Sequence, residues 1–161
     1  MTDKNEIKVA ELGQIDGVII EPKRKIPDER GTILHGVRAD QLLNPFGEVY
    51  FKKLYFGVAN AWHVHETLTL NYLCIEGMIK LVLYDMRKES PTYGVLQELF
   101  IGEDNHCLVH IPPGIANGSK GMTGPYSIMC NVASHAHDSS IKYLRIDPNS
   151  GEIPYNWDRR D

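Results

Sequence analysis

Residues 71–85 read NYLCIEGMIKLVLYD, two apolar runs separated by a Glu-Gly pair at residues 76–77. Such a pair between two short apolar runs is typical of a tight turn between β-strands. In the second run Ile79, Leu81 and Leu83 fall on one face of a strand, because successive strand side chains point to opposite faces. The stretch therefore predicts two consecutive strands, the second with an apolar face turned to a core.

The same pattern continues on both sides of this stretch. Further short runs of this kind, separated by Gly- and Pro-containing turns, lie at residues 48–58, 95–101, 107–111, 127–133 and 141–146. Many short strands at near-regular spacing favour an all-β sandwich or barrel. Residues 36–44 (GVRADQLLN) are the segment for which we predict a short helix.

The composition restricts the class of protein. The chain of 161 residues is 42% hydrophobic and 24% charged, which is ordinary for one globular domain. Its net charge of -4 and scattered basic residues argue against nucleic-acid binding. No apolar run approaches the ~20 residues of a membrane span, and the N-terminus lacks the apolar core of a signal peptide. The three cysteines have no CxxC spacing, so we expect reduced thiols and a cytoplasmic protein.

The stretch AWHVHETLTL at residues 61–70 raises the possibility of a metal site. His63 and His65 share one strand face. A metal-binding cupin, a double-sheet jelly roll, combines His-x-His with a glutamate and later with Pro-x-Gly-x-x-His. Here Leu70 stands in the glutamate position and Asn117 in the second histidine position. Because two of four ligands are missing, we predict no metal or other cofactor, and keep a metal-dependent cupin as a less favoured alternative.

Four phrases in order carry a family resemblance. They are DERG at residues 28–31, DMRKESPTYG at 85–94, IPPGIANG at 111–118, and Asp147-Pro148 followed by Ile153 and Trp157. From about residue 16 to the end, the chain resembles the dTDP-4-dehydrorhamnose 3,5-epimerase family. The resemblance implies the all-β cupin jelly roll, also called a double-stranded β-helix. It also implies a homodimer, the absence of a metal, and a nucleotide-diphosphate sugar as the ligand.

The resemblance also implies roles for two residues. His63 falls on the family's catalytic histidine, and Asp147 falls on the aspartate that partners it. Epimerisation beside a ketone removes a weakly acidic C–H proton and returns a proton on the other face. A neutral histidine suits this task near pH 7, and a carboxylate on its other nitrogen would fix the tautomer. We therefore predict His63 as the base and Asp147 as the residue that orients it.

Other family positions are changed. Cys130 occupies the position of the family's catalytic tyrosine, and Leu70 that of the lysine that stabilises the enolate oxygen. Asn60 replaces an arginine and Asn117 a histidine. Without an acid on the second face, a deprotonated substrate exchanges protons with solvent but is not inverted. Tyr126, Tyr143, His135 and His65 are the candidates for a replacement acid.

Further residues are predicted to meet the substrate. Arg30 and Arg87 are candidates for holding a diphosphate or sugar, because a guanidinium matches phosphate with two hydrogen bonds. For Arg87 the alternative is a structural ion pair with Asp85 or Glu89. We include His65, Tyr143, Asn60, Asn117 and Cys130 among the substrate-binding candidates. Residues 135–138 (HAHD) are interpreted as a solvated connection, Trp62 as core, and Trp157 as able to stack on a base or sugar.

The sequence thus predicts one cupin-type domain over residues 1–161, in which residues 1–15 are an extension or a swapped strand. The predicted function is a cytoplasmic epimerase- or isomerase-like enzyme that acts on a nucleotide-linked 4-keto-6-deoxy sugar. Two alternatives remain open beside it. One is a sugar 3,4-ketoisomerase, which needs no inverting acid, and the other is a non-catalytic cupin that binds a sugar nucleotide.

Overall fold

The structure, a computed structural model, describes residues 11–41, 45–141 and 143–158. Within these ranges every regular element is a β-strand, and no helix is present that could cross a membrane. The strands are β1 (Ile19–Pro22), β2 (Lys25–Asp28), β3 (Gly31–Leu34), β4 (Glu48–Tyr55), β5 (Ala59–His65), β6 (Leu70–Glu76), β7 (Met78–Asp85), β8 (Leu96–Gly102), β9 (Cys107–Ile111), β10 (Ile115–Gly121), β11 (Tyr126–Ala133) and β12 (Tyr143–Arg145).

Ten of these strands form two five-stranded antiparallel sheets. The first sheet has the order β1-β9-β6-β11-β4, and the second has the order β12-β5-β10-β7-β8. Strands β2 and β3 form a separate hairpin. Consecutive strands repeatedly change sheet, so that two sheets face each other across one core. The fold is the predicted all-β jelly roll of the cupin type.

The core lies between the two sheets. Ile79, Leu81 and Leu83 of β7 all face it and are completely buried, which confirms the face predicted from their alternation. From the first sheet, Leu70 and Tyr72 of β6 pack against the same core. Burying each large apolar side chain stabilises the fold by about 1.5–3 kcal/mol.

A second apolar cluster covers the outer face of the second sheet. Trp62 and Val64 of β5 point outward and pack against the C-terminal segment at residues 146–157. Trp62 is completely buried, as predicted, and its ring lies 5.1 Å from the ring of Trp157. Gly118 permits this contact, because a Cβ there would come within 2.6 Å of Trp157. Trp157 is therefore a packing residue, and the expectation that it stacks on a ligand is corrected.

Two predicted features, the short helix and the N-terminal extension, are only partly covered by the described residues. Residues 36–41 contain no helix but a single turn, in which Gln41 N donates to Arg38 O at 3.1 Å. Residues 42–44 and 1–10 lie outside the described residues. Within the predicted N-terminal extension, residues 11–15 run beside β8 of the same chain, where Gly13 N donates to Leu96 O at 2.8 Å.

An acidic side chain at the end of β7 organises the loop that follows. Asp85 is completely buried and accepts hydrogen bonds from Arg87, Ser90 and Thr92. Burial alone would raise the pKa of Asp85, but these hydrogen bonds outweigh it and lower the pKa to about 2. Arg87 also donates to the backbone oxygen of Asp16 at 2.6 Å. This network therefore ties the loop to the N-terminal segment.

We expect Asp85→Ala to lower the free energy of unfolding by about 3 kcal/mol, because it leaves the groups around it without their shared acceptor. The depressed pKa means that the stabilisation is present above pH ~4 and is lost as the pH falls towards 2. Urea denaturation at pH 7 measures the change. Asp104→Ala, at an exposed position, is the control and should stay within about 0.5 kcal/mol of wild type. A loss below about 1 kcal/mol for Asp85→Ala contradicts the structural role of this carboxylate.

Candidate active site

A cavity of about 480 Å³ opens between the two sheets. Its walls come from both sheets and from the segment that precedes β12. The lining residues are Glu48, Tyr50 and Lys52 of β4, His63 and His65 of β5, Tyr72 of β6, Met129 of β11, Tyr143 of β12, and Leu68, His135, Ala136, His137, Asp138 and Ile141 from loops. Histidine, lysine and tyrosine side chains therefore converge on one space.

His63 occupies the wall formed by the second sheet. Its Nε2 lies 2.6 Å from Oδ1 of Asn60. Because an amide oxygen accepts, Nε2 carries the hydrogen in this arrangement and Nδ1 keeps the lone pair. Burial lowers the pKa of His63 to about 4, and the nearby charges of Lys52, Arg145 and His65 act in the same direction. The imidazole is therefore neutral near pH 7, as a base must be.

Asp147 is not the partner of His63 in this structure. Its carboxylate is exposed and accepts a hydrogen bond from the backbone nitrogen of Asn149 at 2.8 Å. Strand β12 places Arg145, not Asp147, opposite His63. The predicted carboxylate is thus replaced by the neutral amide of Asn60, which orients the ring but does not raise its basicity.

The two predicted arginines lie away from the cavity lining. Arg30 sits at the β2–β3 turn with 85% of its side chain exposed, and pairs with Asp28 at 2.6 Å. Arg87 pairs with Asp85 at 2.8 Å, which is the structural alternative considered from the sequence. The prediction that these two side chains hold the ligand is therefore not met within this chain's cavity.

Asn117 supports the cavity wall from behind. Its side chain is buried, and its Nδ2 donates to the backbone oxygen of His63 at 2.9 Å. Its Oδ1 accepts from the hydroxyl of Tyr72 at 3.1 Å. Both polar ends of the amide are thus occupied by protein groups, so Asn117 is a positioning residue and not the substrate contact that we predicted.

Cys130 faces away from the cavity, which corrects its assignment to the tyrosine position. It packs with Leu73, Leu108 and Val132 on the other face of the first sheet. Its neighbour Met129 lines the cavity, as alternation along β11 requires. An alignment that is off by one residue places a side chain on the opposite face of a sheet, and motif spacing alone does not detect this.

His65 and Tyr143 do line the cavity beside His63. Their rings lie 5.6 Å apart, and the ring of Tyr143 is 6.3 Å from that of His63. Burial lowers the pKa of His65 as well. Residues 135–138, which we interpreted as a solvated connection, are exposed but also form part of the cavity rim.

The metal alternative rests on His63 and His65, which share the cavity wall. The two other ligand positions hold Leu70, buried in the core, and Asn117, whose oxygen already accepts from Tyr72. In the described part of the chain, no three His, Cys, Asp or Glu residues are grouped closely enough to hold a metal ion.

Sequence reasoning missed the polar residues that β4 places in the cavity. Glu48, Tyr50 and Lys52 alternate with outward-facing residues and share the inner face with Leu54, which is buried in the core. The sequence did contain a signal for this face: Lys52 and Tyr50 lie two and four residues before Leu54 in a predicted strand, and residues at this spacing share one face. What the sequence could not show is that β4 faces β5 across the cavity.

Lys52 brings a positive charge to the cavity. No described residue forms a salt bridge or hydrogen bond with its ammonium group. Burial lowers the pKa of Lys52, and the charge of Arg145 adds to the effect. Lys52 and Arg145 both act electrostatically on His63, so the neutral imidazole lies in a region of positive potential. Such a region stabilises negative charge that develops on a bound molecule.

Comparison with known proteins agrees with this architecture. A model of the dTDP-4-dehydrorhamnose 3,5-epimerase family matches residues 13–160. The spore coat polysaccharide biosynthesis protein SpsL of Bacillus subtilis (strain 168) is 35% identical over 146 residues, which cover 89% of this chain and 96% of SpsL. The probable low-salt glycan biosynthesis epimerase Agl13 of Haloferax volcanii is 32% identical over 133 residues, 80% of this chain and 81% of Agl13.

A solved structure extends the comparison to three dimensions. The crystal structure of a dTDP sugar isomerase from Desulfovibrio desulfuricans G20 matches with a TM-score of 0.86 and 31% identity. The match covers 91% of this chain and 94% of the other. The family model that matches residues 13–160 and the relatives agree, and the chain belongs to the dTDP-4-dehydrorhamnose 3,5-epimerase family.

Proposed function

We propose that this protein is an epimerase or isomerase that acts on a 4-keto-6-deoxy sugar linked to a nucleoside diphosphate. The observation that carries the proposal is the neutral, partly buried His63 on one wall of a cavity whose facing wall presents Lys52. A base and a cation on facing walls suit proton removal next to a ketone. Membership of the epimerase family supports the same class of substrate.

The proposed first step is proton transfer to His63. The lone pair of its ring nitrogen takes a proton from the carbon beside the C4 ketone, and the C–H electron pair forms a C=C bond. The carbonyl π electrons move to the oxygen, which becomes an enolate. Lys52 stabilises this negative charge and so replaces the lysine that is absent from the family position at Leu70.

The proposed diphosphate contact is Arg145. It is paired with His63 on the neighbouring strand β12, its side chain is exposed, and its charge acts on both His63 and Lys52. A guanidinium at the rim can bind phosphate while the sugar enters the cavity. We extend the proposal to a homodimer in the cytoplasm, where the buried free thiols of Cys74, Cys107 and Cys130 would stay reduced.

A 3,4-ketoisomerase is the second candidate, and one observation favours it. His65 lines the same cavity wall as His63, two residues along the same strand. Two bases on one face can remove the proton from C3 and return a proton to C4, while the C3 hydroxyl gives up its proton and the C4 oxygen takes one. The product would carry its ketone at C3 and a hydroxyl group at C4.

The test of the proposal is incubation with dTDP-4-keto-6-deoxyglucose in deuterated water, followed by proton NMR. We expect loss of the C3–H or C5–H signal together with changed ring couplings, which report inversion. A carbonyl shifted from C4 to C3 would instead identify the ketoisomerase. Absence of exchange at both positions, with the nucleotide sugar shown to bind, contradicts the proposal and favours a non-catalytic binder.

We expect His63→Gln to abolish exchange, because glutamine keeps a similar shape but cannot accept a proton. In the wild-type enzyme the low pKa of His63 predicts that kcat/KM for exchange holds as the pH falls from 7 to 5. It should then decline with a midpoint near 4, where the imidazole becomes protonated. Exchange that persists in His63→Gln shows that another group is the base. An acid limb at pH 6.5 shows that His63 is not desolvated in the working enzyme.

We expect Lys52→Met to lower kcat/KM for exchange about 100-fold, because the enolate oxygen loses its cation. Methionine keeps the apolar part of the side chain and therefore limits damage to the fold. Lys53→Met is the matched control, since Lys53 points to the other face of β4 and lies over the ring of Tyr126 at 4.3 Å. An exchange rate in Lys52→Met within about threefold of that in Lys53→Met rules out the proposed role.

A further inference from the structure

Inversion needs a proton donor in addition to the base His63 and the cation Lys52. His63 takes a proton from one face of the sugar, and a different donor must return one to the other face. On β11, where the family carries its tyrosine, Met129 lines the cavity and Cys130 faces away from it. Neither residue is a proton donor at that place, so the donor must come from another strand.

Tyr50 lies on the wall opposite His63. It belongs to β4 in the first sheet, whereas His63 belongs to β5 in the second sheet, and both line the same cavity. The cavity of about 480 Å³ between them is large enough for a sugar ring to lie between a side chain from each wall. A pyranose held there would present opposite faces to the two residues.

The hydrogen bonds around Tyr50 leave its proton available. Its hydroxyl oxygen lies 2.9 Å from Nδ2 of Asn131, a completely buried residue. Oδ1 of the same amide accepts from the backbone nitrogen of Asn71 at 3.0 Å, which fixes the orientation of the amide. Asn131 Nδ2 is therefore the donor and Tyr50 the acceptor. The hydroxyl hydrogen of Tyr50 is not used by this bond and can be donated into the cavity.

The two other tyrosines of the cavity are less suited to the role. Tyr72 donates its hydroxyl hydrogen to Oδ1 of Asn117, whose orientation is fixed because its Nδ2 donates to His63 O. The proton of Tyr72 is therefore committed to the protein. Tyr143 belongs to β12, which pairs with the strand of His63, so it lies on the same wall as the base.

The electrostatics of Tyr50 agree with a donor. Burial raises the pKa of Tyr50, the hydrogen bond from Asn131 opposes this, and the charge of Glu48 adds to the rise. The hydroxyl is consequently protonated throughout the neutral range. The same bond from Asn131 would stabilise the phenolate that remains after the proton has left.

We propose that Tyr50 donates the proton to the face of the sugar opposite His63 and thereby converts exchange into inversion. This inference rests on the proposed function. The enolate C=C pair takes the hydrogen of the Tyr50 hydroxyl and forms the new C–H bond, while the O–H electron pair remains on the tyrosine oxygen as a phenolate. The C4 carbonyl re-forms. Solvent then returns a proton to Tyr50 and removes one from His63, so that charge and protons balance.

The test is Tyr50→Phe, assayed with dTDP-4-keto-6-deoxyglucose in deuterated water. We expect exchange into the substrate to stay within about threefold of wild type, because His63 is intact, while inversion falls at least about 100-fold. Tyr55→Phe is the matched control: Tyr55 lies on the same strand but on its exposed outer face. Both exchange and inversion should be unchanged in that variant. Retained exchange in Tyr50→Phe also shows that the site has folded.

Tyr72→Phe and Tyr143→Phe complete the set. Inversion that persists in Tyr50→Phe, or that is lost instead in Tyr72→Phe or Tyr143→Phe, overturns the assignment. Loss of exchange together with inversion in Tyr50→Phe also overturns it, since a pure donor acts after the proton has left. Exchange without inversion in wild type refutes this inference alone, whereas no exchange in wild type refutes the proposed function itself.

Discussion

The alternation of side chains in two facing sheets is the constraint on which the site depends. On β4, Leu54 is buried in the core, and this fixes Lys52 and Tyr50, at the same parity, to the inner face. On β5 the outward Trp62 fixes its neighbour His63 to the cavity in the same way. A slip of one residue in either strand would exchange the two faces and remove these polar side chains from the cavity.

The packing on the outer face of the second sheet fixes the position of His63. Trp62 exchanges backbone hydrogen bonds with Ile146, at 3.0 and 3.1 Å, and packs against Trp157. The C-terminal segment thus holds β5 from outside while Asn117 holds its backbone from β10. Because Trp62 adjoins His63 in the chain, the packing of the C-terminal segment against Trp62 also fixes the position of His63 in the cavity. The close approach at Gly118 is part of the same arrangement.

The sequence predicted the fold and about half of the cavity for identifiable physical reasons. Strand alternation and Gly or Pro turns are local signals, so the jelly roll and the shared face of His63 and His65 could be predicted. Lys52 and Tyr50 were missed because their role depends on which strand faces β5, a long-range feature. Cys130 was misassigned because motif spacing does not fix which face of β11 a residue lies on, and neighbouring strand residues lie on opposite faces. Arg87 and Asp147 matched family motifs but are occupied by local hydrogen bonds.

The proposed site has a neutral base, His63, on one wall and a cation and a proton donor, Lys52 and Tyr50, on the other. The structure of the protein bound to dTDP-4-keto-6-deoxyglucose, trapped in His63→Gln, tests it most directly. The account predicts the sugar between the sheets, with one face of the reacting carbon towards residue 63 and the other within about 3.5 Å of the Tyr50 hydroxyl. The ketone oxygen should lie near Lys52. A sugar bound outside this cavity, or with both residues on one face, would contradict it.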